Sequence, residues 1–123
     1  PQLFKIAALT DKNQWAVFFI ELIAAAIFAF GVAAIVRSSQ DRLTSGFTVG
    51  LSLLIAGVFG IITGGYVLAN SVFNPAVAVA VQAVDWGNFN MLTFAAYMIA
   101  PLVGGVIGFG LRDVLAANTK KEA

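Results

Sequence analysis

The segment NSVFNPAVAVAVQAV, residues 70–84, decides the fold of this chain because it is apolar enough for a membrane but too short to cross one. It predicts a helix that starts at Pro75, since Asn74 is a good N-cap and proline fits the first helical position. About ten helical residues would cover about 15 Å, or half of a hydrocarbon core of about 30 Å. Asp85 then returns the chain to water. We therefore predict a re-entrant half-helix, sheltered inside protein or along a water-filled cavity.

Three longer apolar stretches accompany this segment. Residues 15–36 contain a single charge, Glu21, and residues 43–69 and 91–111 contain none. At about 1.5 Å per residue, each is long enough to cross the hydrocarbon core. Pro101 removes one backbone hydrogen bond from the third stretch and should kink it. The predicted fold class is all-α membrane, a single domain of three transmembrane helices and one re-entrant half-helix.

The composition excludes several classes of protein. Of 123 residues, 60% are hydrophobic and 11% are charged, which is too little charge for the large surface of a small soluble domain. The chain has no cysteine and no histidine, so thiolate, imidazole and disulfide chemistry are absent. No acidic residues cluster inside the spans, so we expect no enzyme, no catalytic residue, no cofactor and no metal. A net charge of +1 argues against a nucleic-acid partner.

The charged residues outside the spans predict the orientation. Residues 1–14 are mixed and suit an interfacial or loop segment, and residues 112–123 form a polar tail. Five lysines and arginines lie in or beside the loop 37–42 and the tail, against two in the N-terminal segment. The positive-inside rule then places this loop and the C-terminus in the cytoplasm, with the N-terminus and the mouth of the re-entrant segment outside. We expect an integral protein of a plasma or inner membrane.

Glycines recur at helical spacing in the second and third spans. In lipid, helices associate where small residues let two backbones approach closely. The alternative is that a membrane sequence merely tolerates glycine. On the first interpretation, the predicted helix-packing positions are Gly46, Gly50, Gly57, Gly64, Gly104 and Gly108.

The tripeptide Asn74-Pro75-Ala76 has a physical meaning in a membrane. A half-helix that starts at mid-membrane presents unpaired N–H groups and the positive end of its dipole there. Extended backbone over residues 68–73 would add a row of carbonyl acceptors. Donors at the centre and acceptors along one wall suit small neutral solutes that form hydrogen bonds, and the positive end disfavours cations and hydronium. The alternative is an ordinary Asn-Pro turn in a loop.

These residues resemble the second half of the aquaporin/glycerol-facilitator (major intrinsic protein) family, over about residues 15–112. That resemblance implies a channel for water or small neutral solutes such as glycerol that excludes ions and protons. It also implies half of an inverted-repeat fold and a homotetramer in membrane lipid. The matching segments are FFIEL (18–22), GFT (46–48) onward to Gly60, NSVFNPA (70–76) and YMIAPLVGGVIG (97–108).

The resemblance also implies residue roles. Asn74 would be the central donor to the permeating molecule, with Pro75 and Ala76 stacked against the other half of the channel. Glu21 would hold the loop before Asn74 by accepting its backbone N–H groups, since a lone acid in a span needs such a partner. The alternative is that Glu21 snorkels to the nearby surface.

The filter departs from the family pattern. Val77 stands where an arginine normally follows the tripeptide, and Ser71 occupies the loop position three residues before Asn74. The filter position on the preceding helix falls on Gly60 or Ile62, and neither side chain can donate a hydrogen bond. A filter of this kind would be wider or less polar than a strict water filter.

One half cannot enclose a pore, so the resemblance requires a complementary half from the same parent chain or from a second, antiparallel copy. The charge bias disfavours the second copy. Because the chain begins at Pro1, we expect it to be the C-terminal half of a longer channel. Two alternatives stay open: a non-conducting membrane interaction subunit, and a secondary transporter with broken helices, for which Glu21 is the one available coupling group.

Overall fold

The structure is a computed structural model that describes residues 9–10, 12–67, 71–84 and 86–122. Within these ranges it is all-helical and contains no strand. Three helical segments are long and apolar enough to cross a membrane, and the predicted all-helical class is confirmed for the described residues. The elements are α1 (Gln14–Val36), α2 (Arg42–Tyr66), α3 (Pro75–Ala80), α4 (Met91–Phe94), a π-helical segment (Ala95–Ile99) and α5 (Ala100–Glu122).

The ends of the second span follow local signals. The Asp41 carboxylate caps the start of α2 by accepting a hydrogen bond from the Thr44 N–H at 3.3 Å. The helix ends at Tyr66, where the N–H of Val67 donates to the Gly64 carbonyl at 3.1 Å. Helix α2 therefore ends at Tyr66, whereas the predicted span extends to residue 69. The last two residues of that span, together with residues 1–8, 11, 70, 85 and 123, lie outside the described residues.

The third span is longer than predicted. Helix α5 continues to Glu122, past the predicted limit at Leu111, because residues 112–122 contain good helix formers and neither glycine nor proline. Lys120 and Lys121 lie in its last turn, where positive charge complements the helix dipole. The tail predicted from polarity is therefore a helical extension.

A π-helical segment stands where the sequence predicts an interrupted helix. Pro101 has no N–H and cannot donate to the carbonyl of Tyr97, four residues earlier. The five residues Ala95–Ile99 immediately before this point are π-helical. We attribute the widened turn to the missing hydrogen bond, since π-turns occur where the regular ladder is interrupted.

Helix α1 is central, with α2 and α5 packed on different faces of it. A Cβ atom built on Gly104 would overlap the carbonyl oxygen of Leu22, and one on Gly108 would lie 2.9 Å from the Ala29 Cβ. On the α2 side, a Cβ on Gly31 would overlap the side chain of Ser52. Glycine therefore permits the close backbone approach at both seams.

The other glycines named from the sequence behave differently. A Cβ atom on Gly46, Gly50 or Gly57 would meet nothing within 4 Å in the described chain, so these three residues make no close helix contact here. The buried residues of α2 are Ala56, Gly60 and Gly64. Gly64 lies on the same side of the helix as Gly46 and Gly57, so the difference is one of level along α2: Gly64 is buried near the end of the helix, whereas the other three are open.

Candidate functional site

The tripeptide starts a helix as its sequence predicts. Asn74 is extended, with φ −152° and ψ 121°, and its Oδ1 accepts a hydrogen bond from the Ala76 N–H at 2.8 Å. Pro75 takes the first turn, where its missing N–H leaves no donor unpaired. The helix is six residues long, shorter than the ten or so expected. Its re-entrant placement in a membrane stays a prediction.

The helix is short because a C-terminal motif closes it at Val81. The N–H of Gln82 donates to Val79 O at 3.1 Å, and the N–H of Ala83 donates to Ala78 O at 2.9 Å. This pair of hydrogen bonds is the Schellman pattern, in which the residue after the cap is left-handed. Gln82 is that residue, with φ 54°, and a buried pair, Ala78 and Ala83, provides the apolar contact that usually accompanies the motif.

Glu21 fixes the backbone that precedes Asn74. Its carboxylate is fully buried, and Oε1 accepts a hydrogen bond from the Val72 N–H at 2.7 Å. Oε2 accepts a second hydrogen bond from the N–H of Phe73. Phe73 is left-handed, with φ 33°, so the acid holds a backbone conformation that L-residues rarely adopt. Glu21 therefore bridges α1 to the loop and does not reach the surface.

Ser71 and Gly60 lie next to each other. A Cβ on Gly60 would lie 2.6 Å from the Ser71 Oγ and 2.7 Å from its Cβ, so the glycine makes room for this side chain. The Ser71 hydroxyl is buried beside the carboxylate of Glu21. Ile62, by contrast, is 57% exposed. The two alternative filter positions are thus separated, and Gly60 is the one beside the loop.

A cavity of about 440 Å³ opens beside Asn74. Its polar side chains are Ser71 and Asn74, and the rest of its lining is apolar. Asn74 is exposed and Val77 is 42% exposed, so the described chain forms one wall of an open groove. Within the described residues, no three acidic side chains come together to hold a metal ion. The lining residues are Phe28, Leu53, Ser71, Val72, Phe73, Asn74 and Val77.

Several residues of this site escape sequence reasoning. Phe28 and Leu53 contribute side chains from α1 and α2, but one more apolar residue in an apolar span carries no signal. Tyr97 is fully buried in the apolar core that supports the loop and α3, together with Val17, Val72 and Ala78. Its aromatic-x-x-x-Pro spacing is a sequence signal, although spacing alone does not reveal its place in this core.

A different polar contact joins neighbouring elements at each end of the helices. Arg37 Nη2 lies 3.0 Å from the Asp113 Oδ2, so the loop after α1 and the extension of α5 lie at one end. At the other end, Asn13 Nδ2 donates to Val67 O at 3.1 Å and joins the start of α1 to the end of α2. The site lies nearer the second of these ends, since Val72 packs in the same core cluster as Val17, near the start of α1.

Comparisons with known proteins add no relative. No protein-family model, no curated protein and no solved structure matches this chain.

Proposed function

We propose that the chain is a membrane channel unit of the aquaporin type, for passive passage of water and small neutral solutes such as glycerol. One observation carries the proposal. The buried Glu21 carboxylate holds the N–H groups of Val72 and Phe73, directly before the cap residue Asn74 at the rim of a cavity of about 440 Å³. An acid inside a membrane span is costly, so its pairing with two main-chain donors indicates that the conformation of this loop is important for function.

Asn74 supports passage of a neutral molecule. Its Oδ1 is engaged by Ala76, while the amide nitrogen donates to no protein group in the described part of the chain. That nitrogen is available to a solute hydroxyl or to water. The apolar side chains of Phe28, Leu53 and Val77 offer no oxygen to replace the hydration shell of a cation, so an ion would pay its full dehydration cost.

Val77 supports a filter without a fixed charge. It lines the groove directly after the tripeptide, so the narrowest part would present an aliphatic wall and the amide of Asn74. A carbon-bearing solute such as glycerol can contact that wall, and no strong donor holds water in preference. The proposed selectivity is therefore broader than that of a strict water channel.

The open groove requires a second wall, which we assign to a complementary half from the same parent chain or from a second copy. The face of Gly46, Gly50 and Gly57, which meets nothing in the described chain, is available for such packing. By family resemblance the assembly would be a tetramer. The proposed orientation has the Arg37 loop and α5 end cytoplasmic, in a plasma or inner membrane, on the charge bias of the sequence.

Proteoliposome permeability tests this proposal. Vesicles with this chain, and vesicles with any longer chain that contains it, are shrunk osmotically and followed by light scattering with water, glycerol and urea. Asn74→Leu should reduce the flux, whereas Asn90→Leu should not. Asn90 is a matched control because it also caps a helix, accepting from the Leu92 N–H at 2.9 Å, but does not line the cavity.

The second candidate is a non-conducting membrane interaction subunit. The observation in its favour is that Asn74 and Val77 are exposed and the groove has one wall. If none of the three solutes permeates above empty vesicles, with this chain or with any longer chain that contains it, the channel proposal is lost and this candidate stands.

A further inference from the structure

Aromatic residues with a polar edge gather at one end of the helices. Trp15 starts α1, Tyr66 ends α2 and Trp86 lies shortly before α4, with 60%, 87% and 63% of their surfaces exposed. These are both tryptophans of the chain and one of its two tyrosines. The other tyrosine, Tyr97, is fully buried. Every exposed side chain of these two types in the described chain therefore lies at this end.

Trp15 and Tyr66 lie at the same level along the helices. The hydrogen bond from Asn13 Nδ2 to Val67 O, 3.1 Å long, joins the residues beside them. At about 1.5 Å of rise per residue, neither ring is more than about one helical turn from this bond.

Trp86 is held at the same end by other rings. It stacks on Phe89, with ring centroids 6.2 Å apart, and meets Phe94 edge-on at 6.2 Å. Phe94, the last residue of α4, packs against the core cluster that also contains Val17, two residues from Trp15 near the start of α1. Because Trp86 and Phe89 stay exposed, these contacts orient the rings without covering them.

The opposite end has a different chemistry. Arg37 follows Trp15 by about 33 Å of helix at about 1.5 Å per residue, which matches a hydrocarbon core of about 30 Å. Lys12 is the described basic residue at the aromatic end. The remaining described basic residues lie at or beyond the opposite end: Arg37, Arg42, Arg112, Lys120 and Lys121.

We propose that Trp15, Tyr66 and Trp86 form an anchor that binds the headgroup layer of a lipid bilayer and fixes the depth of the chain. An indole or phenol ring suits this layer, since its apolar face meets the acyl chains while its N–H or O–H reaches ester and phosphate oxygens. The rings come from three separate elements at one level, one core thickness from Arg37, and this arrangement fits a planar bilayer surface. The inference depends on the membrane spans and not on channel activity.

Single-tryptophan variants measure the depth directly. W15F leaves Trp86 as the one tryptophan, and W86F leaves Trp15. The chain is reconstituted in phosphatidylcholine vesicles whose acyl chains carry bromine, a quencher of indole fluorescence, either near the headgroup or near the chain end. Leu54→Trp in the W15F/W86F background is the deep control, because Leu54 is 60% exposed at the middle of α2. Tyr66→Trp in that background reports the third position.

We expect shallow bromine to quench Trp15, Trp86 and the Tyr66→Trp ring at least about twofold more than deep bromine, with the reverse order for Leu54→Trp. Circular dichroism checks that each variant stays helical. Stronger quenching by deep bromine would overturn the anchor. So would quenching by aqueous iodide alone, or by no reagent, since the rings would then lie in water or under another protein chain. The quenching experiment measures ring depth and does not use solute flux. Its failure would therefore leave the channel proposal untouched, and the reverse also holds.

Discussion

The carboxylate of Glu21 and the N–H of Val72 form a hydrogen bond of 2.7 Å between residues 51 apart in the chain. Together with the second hydrogen bond, from the Phe73 N–H, this contact connects helix α1 to the loop that precedes Asn74. The first prediction tests this connection. Glu21→Gln can accept only through one oxygen, which leaves one buried N–H facing an NH₂ group. We expect a loss of about 2–3 kcal/mol in the free energy of unfolding, measured by denaturation in detergent.

Glu122→Gln is the control for Glu21→Gln. It removes the same charge at an exposed residue near the end of α5, so the variant should be as stable as the unmodified chain. Equal stabilities for both variants would contradict the role of Glu21 in holding the loop.

Two pairs of glycines on α5 test the seam with α1. Gly108→Ala places a methyl group 2.9 Å from the Ala29 Cβ, and Gly104→Ala places one against the Leu22 carbonyl. We expect each to cost about 1–3 kcal/mol, since the two backbones must move apart. Thermal unfolding monitored by circular dichroism measures the loss.

The matched controls for the seam are Gly105→Ala and Gly110→Ala. Both glycines have open space at the Cβ position, so alanine should raise helix stability by up to about 1 kcal/mol. The same sign of change in all four variants would argue against close α1–α5 packing.

Gln82 provides a stabilising substitution. Its φ of 54° is the left-handed conformation that glycine adopts without strain. Gln82→Gly should stabilise the chain by about 0.5 kcal/mol, after the greater backbone entropy of glycine is subtracted. Gln82→Ala keeps the strain and should be neutral. If glycine were no better than alanine in urea titrations, the Schellman closure of α3 would be in doubt.

Val77 and Val79 test which face of α3 lines the path. Val77→Arg should lower glycerol flux more than water flux in a conducting preparation, because the long side chain narrows the groove and adds a donor. Val79→Arg introduces the same charge on the same helix at a residue that is 48% exposed and outside the lining. An unchanged glycerol-to-water ratio for Val77→Arg would remove this residue from the filter.

Asp41 gives a pH dependence. The hydroxyl and the N–H of Thr44 hold the pKa of Asp41 below its ordinary value of 3.8. The ionised cap therefore contributes its full stability above the ordinary pKa, and that contribution is lost as the pH falls through the lowered pKa of the folded chain. Asp41→Asn keeps a capping oxygen that does not titrate. The stability difference between the unmodified chain and the variant should be constant near neutral pH and change only below about pH 4. A change centred near neutral pH would contradict the role of Asp41 as an ionised cap.

The sequence alone determined those features that depend on neighbouring residues. The three spans follow from uninterrupted apolar length, and the start of α3 follows from Asn74 and Ala76, two residues apart. The sequence does not reveal which irregularity Pro101 causes, since a missing N–H permits either a kink or a widened turn. The structure has a π-helical segment just before it. Likewise, the early end of α3 depends on Gln82 adopting a conformation that its side chain does not favour.

Only the tertiary structure decided which faces meet. A membrane span is apolar all round, so its hydropathy does not reveal which side packs, and small residues are the sole guide. That guide led to Gly104 and Gly108 at the α1 seam, but also to Gly46, Gly50 and Gly57, whose faces are open. The groove of Phe28, Leu53 and Asn74 likewise joins three elements. The sequence therefore determined where the apolar spans lie and where α3 starts, because these depend on neighbouring residues, while the site required contacts between residues far apart in the chain.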